Sequence, residues 1–143
     1  MKTTRFLILT IIMLSLALTA SAETKGWGLG AGAMDGDFGL QLRKDFWLGG
    51  DVSQITGAGT VHFTDPVHFR FDADYHFNIS SGSSRFYPLA GLQLAFNSDH
   101  LKFGANLGGG ANFMLTQKME AFAELKYVIS DWDGLGFMVG FYF

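Results

Sequence analysis

The residues best equipped for chemistry lie in one stretch, where His68, Arg70, Asp72, Asp74 and His76 occupy alternate positions. An imidazole beside a carboxylate is the pairing used in general acid–base catalysis and in metal coordination. Spacing argues against both here. If the stretch is a strand, its charged groups share one face, but four residues of strand span about 13 Å and eight span about 26 Å. His68 and His76 therefore cannot hold one metal ion, and hydrogen bonding within an enclosed interior is the better reading. No catalytic, cofactor-binding or metal-binding residue is assigned. The chain has no cysteine, which removes thiolate metal sites and a disulfide scaffold.

What positions these groups is a strict alternation. Val67, Phe69, Phe71, Ala73, Tyr75 and Phe77 alternate with His68, Arg70, Asp72, Asp74 and His76; a helix would scatter those charges around its circumference, whereas a strand gathers them. The closing stretch GFMVGFYF does the same, with Phe137, Val139, Phe141 and Phe143 on one parity and Gly136, Met138, Gly140 and Tyr142 on the other. Eight strands are predicted, broken where turn residues cluster. They run from Gly26 to Met34, from Phe38 to Arg43, from Phe46 to Gln54, from Val67 to Phe77, from Arg85 to Phe96, from Leu101 to Phe113, from Met119 to Ile129 and from Gly136 to Phe143. A turn is expected at Lys44-Asp45, and Ile55 to Pro66, with Gly57 and Gly59, reads as the longest connection. MEAFAELK has fair helix propensity, yet Ala121, Ala123, Leu125 and Tyr127 against Glu120, Glu124 and Lys126 favour a strand.

The two faces then decide where water lies. Ten glycines share the parity that carries the charges, among them Gly28, Gly30, Gly32, Gly91, Gly108 and Gly140. A glycine-rich face solubilises poorly but relieves crowding inside a narrow barrel, whose eight strands leave room only for side chains. Phenylalanine and leucine would overfill that interior; on the outside they suit an apolar band about 25 Å tall. The expected fold is all-β, an eight-stranded antiparallel up-and-down transmembrane β-barrel. Its lumen would hold Arg43, Arg70, Lys102 and Lys126 with Asp51, Asp72, Asp74, Glu120 and Glu124. Buried charges survive only when paired, so a salt-bridged plug is expected rather than an open pore. With both termini on one side, Trp27, Phe46, Trp47, Tyr75, Phe77, Phe86, Tyr87, Phe113, Tyr142 and Phe143 fall near one rim, where an aromatic girdle belongs.

The beginning of the chain supplies an address. Lys2 and Arg5 precede the apolar run Phe6 to Leu18, followed by Thr19-Ala20-Ser21-Ala22, the three-part pattern of a cleaved secretory signal. Residues 1–22 are expected to be removed, leaving 23–143 as one domain. The ten basic residues less Lys2 and Arg5 leave eight against thirteen acidic, a net charge of −5, which gives nucleic acid no footing. The mature part has no apolar run long enough for a spanning helix, so only a closed barrel would satisfy its backbone in lipid.

Three segments, FYPLAGLQLAF (Phe86 to Phe96), LGGGANFMLTQKMEAFAELKYV (Leu107 to Val128) and the closing GFMVGFYF, resemble the small outer-membrane β-barrel family, the porin-like group that includes the OmpA membrane domain, OmpX and the Opa proteins. The resemblance implies a Gram-negative-type outer membrane, outer-membrane lipid as surroundings, and insertion by the barrel-assembly machinery. On it, Phe137, Val139, Phe141 and Phe143 would form the assembly signal. It implies no single activity. A structural or surface-interaction role for a monomer without catalysis is expected. Two rivals remain. A lipid A-modifying enzyme is one, although the deacylase barrels carry a His-x-Ser pair and the nearest approach here is His62-Phe63-Thr64. A soluble periplasmic lipocalin-like binder is the other. Adhesion would need long external loops, and only Ile55 to Pro66 has the length.

Overall fold

The computed structural model describes residues 26–49, 52–131 and 133–143; the expected signal segment and Asp51 lie outside them. Alternation becomes strand in nine segments: β1 (Trp27–Met34), β2 (Asp37–Gly49), β3 (Ser53–His62), β4 (His68–Phe77), β5 (Ile79–Ser81), β6 (Ser84–Phe96), β7 (Leu101–Met114), β8 (Glu120–Ser130) and β9 (Gly134–Tyr142). Every pairing is antiparallel. The order is β4-β3-β2-β1-β9-β8-β7-β6-β5, and β4 also pairs with β6, which closes the ring. The short β5 continues β4 past Asn78, so the nine segments make eight staves. This is the closed eight-stranded barrel that the alternation predicts.

Both ends of the described chain lie at one rim, where the Phe143 N–H donates to the Trp27 carbonyl at 2.9 Å. The opposite rim carries four short connections, at 35–36, 63–67, 97–100 and 131–133. From Glu120 onward the MEAFAELK stretch is strand, the start of β8, and Phe122 and Val128, apolar residues on the charge-bearing parity of β8, point inward and are buried.

Two expectations fail together. No turn forms at Lys44-Asp45: β2 runs on to Gly49, with Lys44 paired to Gly57 and Asp45 to Thr56. The supposed long connection from Ile55 to Pro66 is mostly β3, and the connection itself is 63–67. The glycines that suggested a loop serve the outer wall. A Cβ on Gly57 would lie 3.6 Å from the Phe46 ring, and one on Gly59 would lie 3.3 Å from the Phe71 ring. Neighbouring aromatics cover these bare backbone positions, a known device for glycines in sheets.

Pro88 shows the same logic in reverse. It stands five residues into β6, where no N–H is available for a ladder. The β4–β6 pairing reaches only His76 with Leu89, and the β5–β6 pairing resumes at Ile79 with Phe86. Pro88 therefore falls opposite Phe77, in the unpaired break at Phe77-Asn78.

Polarity is inverted relative to a soluble protein. Leu92 and Phe103 are 70% and 73% exposed, while Arg43 is 1% exposed. Glycines keep the interior from overfilling: a Cβ on Gly140 would collide with the Leu29 carbonyl and approach a Phe122 ring carbon to 2.7 Å. Gly140→Phe should cost at least the 1–3 kcal/mol typical of overpacking. Urea unfolding of the detergent-refolded protein would measure it; unchanged stability would place residue 140 on the outer face.

Candidate functional site

The interior of the barrel is where the ionisable groups converge. Arg43 from β2 reaches Glu124 on β8, Nη2 to Oε2 at 2.8 Å. The same Oε2 accepts the Tyr87 hydroxyl from β6 at 3.0 Å. Lys126, two residues further along β8, lies 3.5 Å from Glu124 and 3.9 Å from Asp72, and donates to Asp74 at close range. Asn106 on β7 donates to Asp72 at 2.8 Å and to Asp74 at 2.7 Å. Arg70 completes the row through Asp72 at 3.1 Å. Five strands thus contribute to one cross-linked charge network: β2, β4, β6, β7 and β8.

Toward the rim that carries the chain ends, the network continues through Asp45 and uncharged partners. Asp45 accepts from Thr56 at 2.7 Å and from Tyr142 at 3.1 Å. Gln54 donates to Thr56 and accepts from Asn78. The Arg43 guanidinium lies over the Phe122 ring at 4.3 Å, so its flat face rests on an aromatic while its edge meets carboxylate. Free space among Met34, Gln41, Arg70, Glu124 and Lys126 amounts to about 10 Å³, room for one water molecule.

Six of the nine expected lumen charges meet here: Arg43, Arg70, Asp72, Asp74, Glu124 and Lys126. Glu120 stands nearer the mouth and pairs with Arg85 at 3.0 Å, where Trp47 covers the Arg85 guanidinium. Lys102 is half-buried, two strands from Arg70 in one pairing row through Ala95. Asp51 falls outside the described residues. Sequence reasoning missed Asp45, because it assigned that residue to a turn, and missed Arg85. Both carry the inward parity of their strands, which a correct β2 boundary exposes for Asp45 and the parity of β6 exposes for Arg85.

The inward-facing histidines are divided between the two ends of the barrel. His68 sits at the loop end, stacked 4.5 Å from His62 and 3.1 Å from the Thr64 hydroxyl. His76 is at the other end of β4, stacked 4.2 Å from Tyr87. Thr64 donates to the Pro66 carbonyl. Among the described residues, no group of three histidines or carboxylates is placed to hold a metal ion.

Comparison with solved structures follows from this geometry. The N-terminal β-barrel domain of Pseudomonas aeruginosa OprF superposes with a TM-score of 0.66, at 19% identity, over 84% of this chain and 98% of that domain. The fold is that of the small outer-membrane barrels. PagL, described as an outer-membrane enzyme, shares this outer-membrane barrel fold at TM-score 0.53 and 15% identity, over 81% of this chain and 96% of PagL. Ail, the attachment invasion locus protein of Yersinia pestis, shares it at 0.53 and 18%, over 82% of this chain and 92% of Ail. No family model matches the sequence, and no curated protein does. An enzyme and an attachment protein sharing one barrel shows that the architecture does not set the activity.

Proposed function

We propose that this protein is an integral outer-membrane β-barrel with a plugged lumen, exported by a cleaved signal at residues 1–22, acting as a structural or surface component of the envelope. One observation carries the reading: the wall is apolar outside, and the middle of the interior is crossed by a charged, hydrogen-bonded network. In water that arrangement would expose a continuous apolar surface far larger than monomeric soluble proteins tolerate. In lipid it is the stable one. The lipocalin-like alternative needs the opposite polarity and an apolar cavity.

A channel is disfavoured because Arg43, Glu124, Lys126 and Asp74 bridge the interior from opposite staves. A lipid A-modifying role is disfavoured for the mid-barrel carboxylates, because Asp72, Asp74 and Glu124 lie behind the wall, committed to Arg70, Lys126 and Arg43, where a lipid acyl bond does not reach. The protein would enter the membrane through the barrel-assembly machinery, with Phe137, Val139, Phe141 and Phe143 as its signal, and would work as a monomer.

Two measurements on the mature protein test this. Unboiled protein should migrate differently from boiled protein in SDS gels, because a closed ladder has no free edge from which to unzip. Planar-bilayer conductance should be absent or small. Identical mobility with recovery in the soluble periplasm would return the lipocalin-like reading; a large steady current would show that the plug does not seal the lumen.

A further inference from the structure

The outer wall is uneven in two respects, and the two coincide. Elsewhere on the wall bulky residues line up side by side: Phe71, Leu94 and Phe103 share one pairing row, and Phe69, Phe96 and Leu101 share the next. Across β1, β9, β8 and β7, nearer the rim that carries the chain ends, one row is Ala31, Val139, Ala123 and Ala111. Small side chains there open a groove of about 470 Å³, walled by Leu29, Leu40, Phe113 and Phe141. A dent in a lipid-facing wall cannot be filled by water without desolvation cost, so something apolar must occupy it.

The second irregularity is a charge. Lys44 has the outward parity of β2 and is the one charged residue with outward parity among the described strand residues. Its ammonium lies 4.8 Å from the centroid of the Trp27 ring. No carboxylate shares that outer face in any described strand. Trp27 pairs with Lys44, Leu29 with Leu42, and Ala31 with Leu40, so Lys44 stands two pairing rows from the row of small residues. That separation is about 13 Å along the strand. The charge sits toward the rim and the groove extends toward the middle of the wall. A lysine with an aromatic neighbour at such a rim is an interfacial anchor.

We infer that the β2–β1–β9–β8 face is a binding site for one anionic phospholipid of the inner leaflet, its headgroup phosphate on Lys44 beside Trp27 and an acyl chain in the Ala31–Val139–Ala123 groove. Charge complementarity selects this occupant over a second copy of the chain. Two identical copies would bring Lys44 toward the same apolar face without supplying a carboxylate to meet it. The inference rests on the membrane reading above, with the rim that carries the chain ends on the periplasmic side.

The test uses the mature barrel refolded into nanodiscs of mixed phosphatidylglycerol and phosphatidylcholine, released into detergent, and weighed by native mass spectrometry. Wild-type protein should retain one phosphatidylglycerol. Lys44→Gln should lower that retention about fivefold, the factor expected of one lysine near an anionic surface. Ala31→Leu with Ala123→Leu, which fills the groove with residues suited to lipid, should lower it at least as far. Each variant is first checked for the heat-dependent gel shift, so that a barrel that fails to form is not mistaken for a lost site. Wild-type protein without that shift would overturn the membrane reading itself. Shifted protein that retains phosphatidylglycerol equally in all variants would overturn this site alone. Retention insensitive to Lys44→Gln would overturn it too, as would a dimer abolished by the groove-filling pair, which would assign the face to a second copy.

Discussion

Glu124→Leu should destabilise the barrel by about 3–5 kcal/mol, the cost of leaving a buried charge without its partner. Glu124 is the group on which Arg43, Lys126 and Tyr87 converge. Its removal leaves the Arg43 guanidinium facing the Phe122 and Tyr142 rings, with no carboxylate at contact distance. Lys126 keeps Asp74, so the loss centres on Arg43. The double variant Arg43→Met with Glu124→Leu should recover a large part of the stability, because a pair of apolar residues in place of a buried ion pair is often nearly neutral. Urea titration of detergent-refolded protein, followed by the gel shift, measures both. Equal losses in the single and double variants would mean that the two groups are not energetically coupled. The same pair also bears on conduction. If the plug depends on this bridge, the double variant should pass more ionic current than wild-type protein.

Val139→Arg should be the most damaging change on the outer wall. Val139 faces outward at the centre of β9, flanked by Ala31 and Ala123, and is 41% exposed. It lies four residues from Phe143, about 13 Å along the strand. A charge on the lipid face costs about 2–4 kcal/mol at the midplane and about 0–1 at the interface. Phe143→Arg should therefore cost little in refolded protein. Phe143→Ala tests a separate property: if the closing aromatic is read by the assembly machinery, the amount inserted in cells should fall while refolded stability stays nearly constant. Refolding both variants in lipid vesicles and quantifying envelope levels separates the two effects. Val139→Arg folding without penalty would mean that β9 does not face lipid.

The parts of the fold legible in the sequence were those in which large apolar and charged residues alternate without interruption. β4 and β9 are of this kind, since Phe69, Phe71, Tyr75, Phe137 and Phe141 each contrast with an inward charge, glycine or large polar group. β3 was not legible because its contrast is weak. Gly57 and Gly59 occupy outward positions where an apolar residue was sought, and the rings that cover them belong to Phe46 and Phe71 on neighbouring strands. Pairing partners are long-range information, absent from a local window. The adjacent polar pair Lys44-Asp45 misled for a related reason: one member points out to the rim and the other into the lumen, a split that resembles a turn when read in isolation. The network suffered accordingly. Its charged members on well-defined strands were found, and Asp45 was lost with the boundary of β2.

The shortness of the four connections at the loop end has a consequence for where this protein can act. The longest, 63–67, has five residues, and a five-residue hairpin rises at most about 9 Å, since its chain must go out and return at about 3.5 Å per residue. The headgroup layer on each side of a bilayer is itself about 5–8 Å deep. With the loop end outward, the connections themselves would add little beyond that layer. A large protein approaching from outside would meet lipid before it met these loops, and so would an antibody. Contacts that matter to its role are then lateral ones, made within the plane of the membrane.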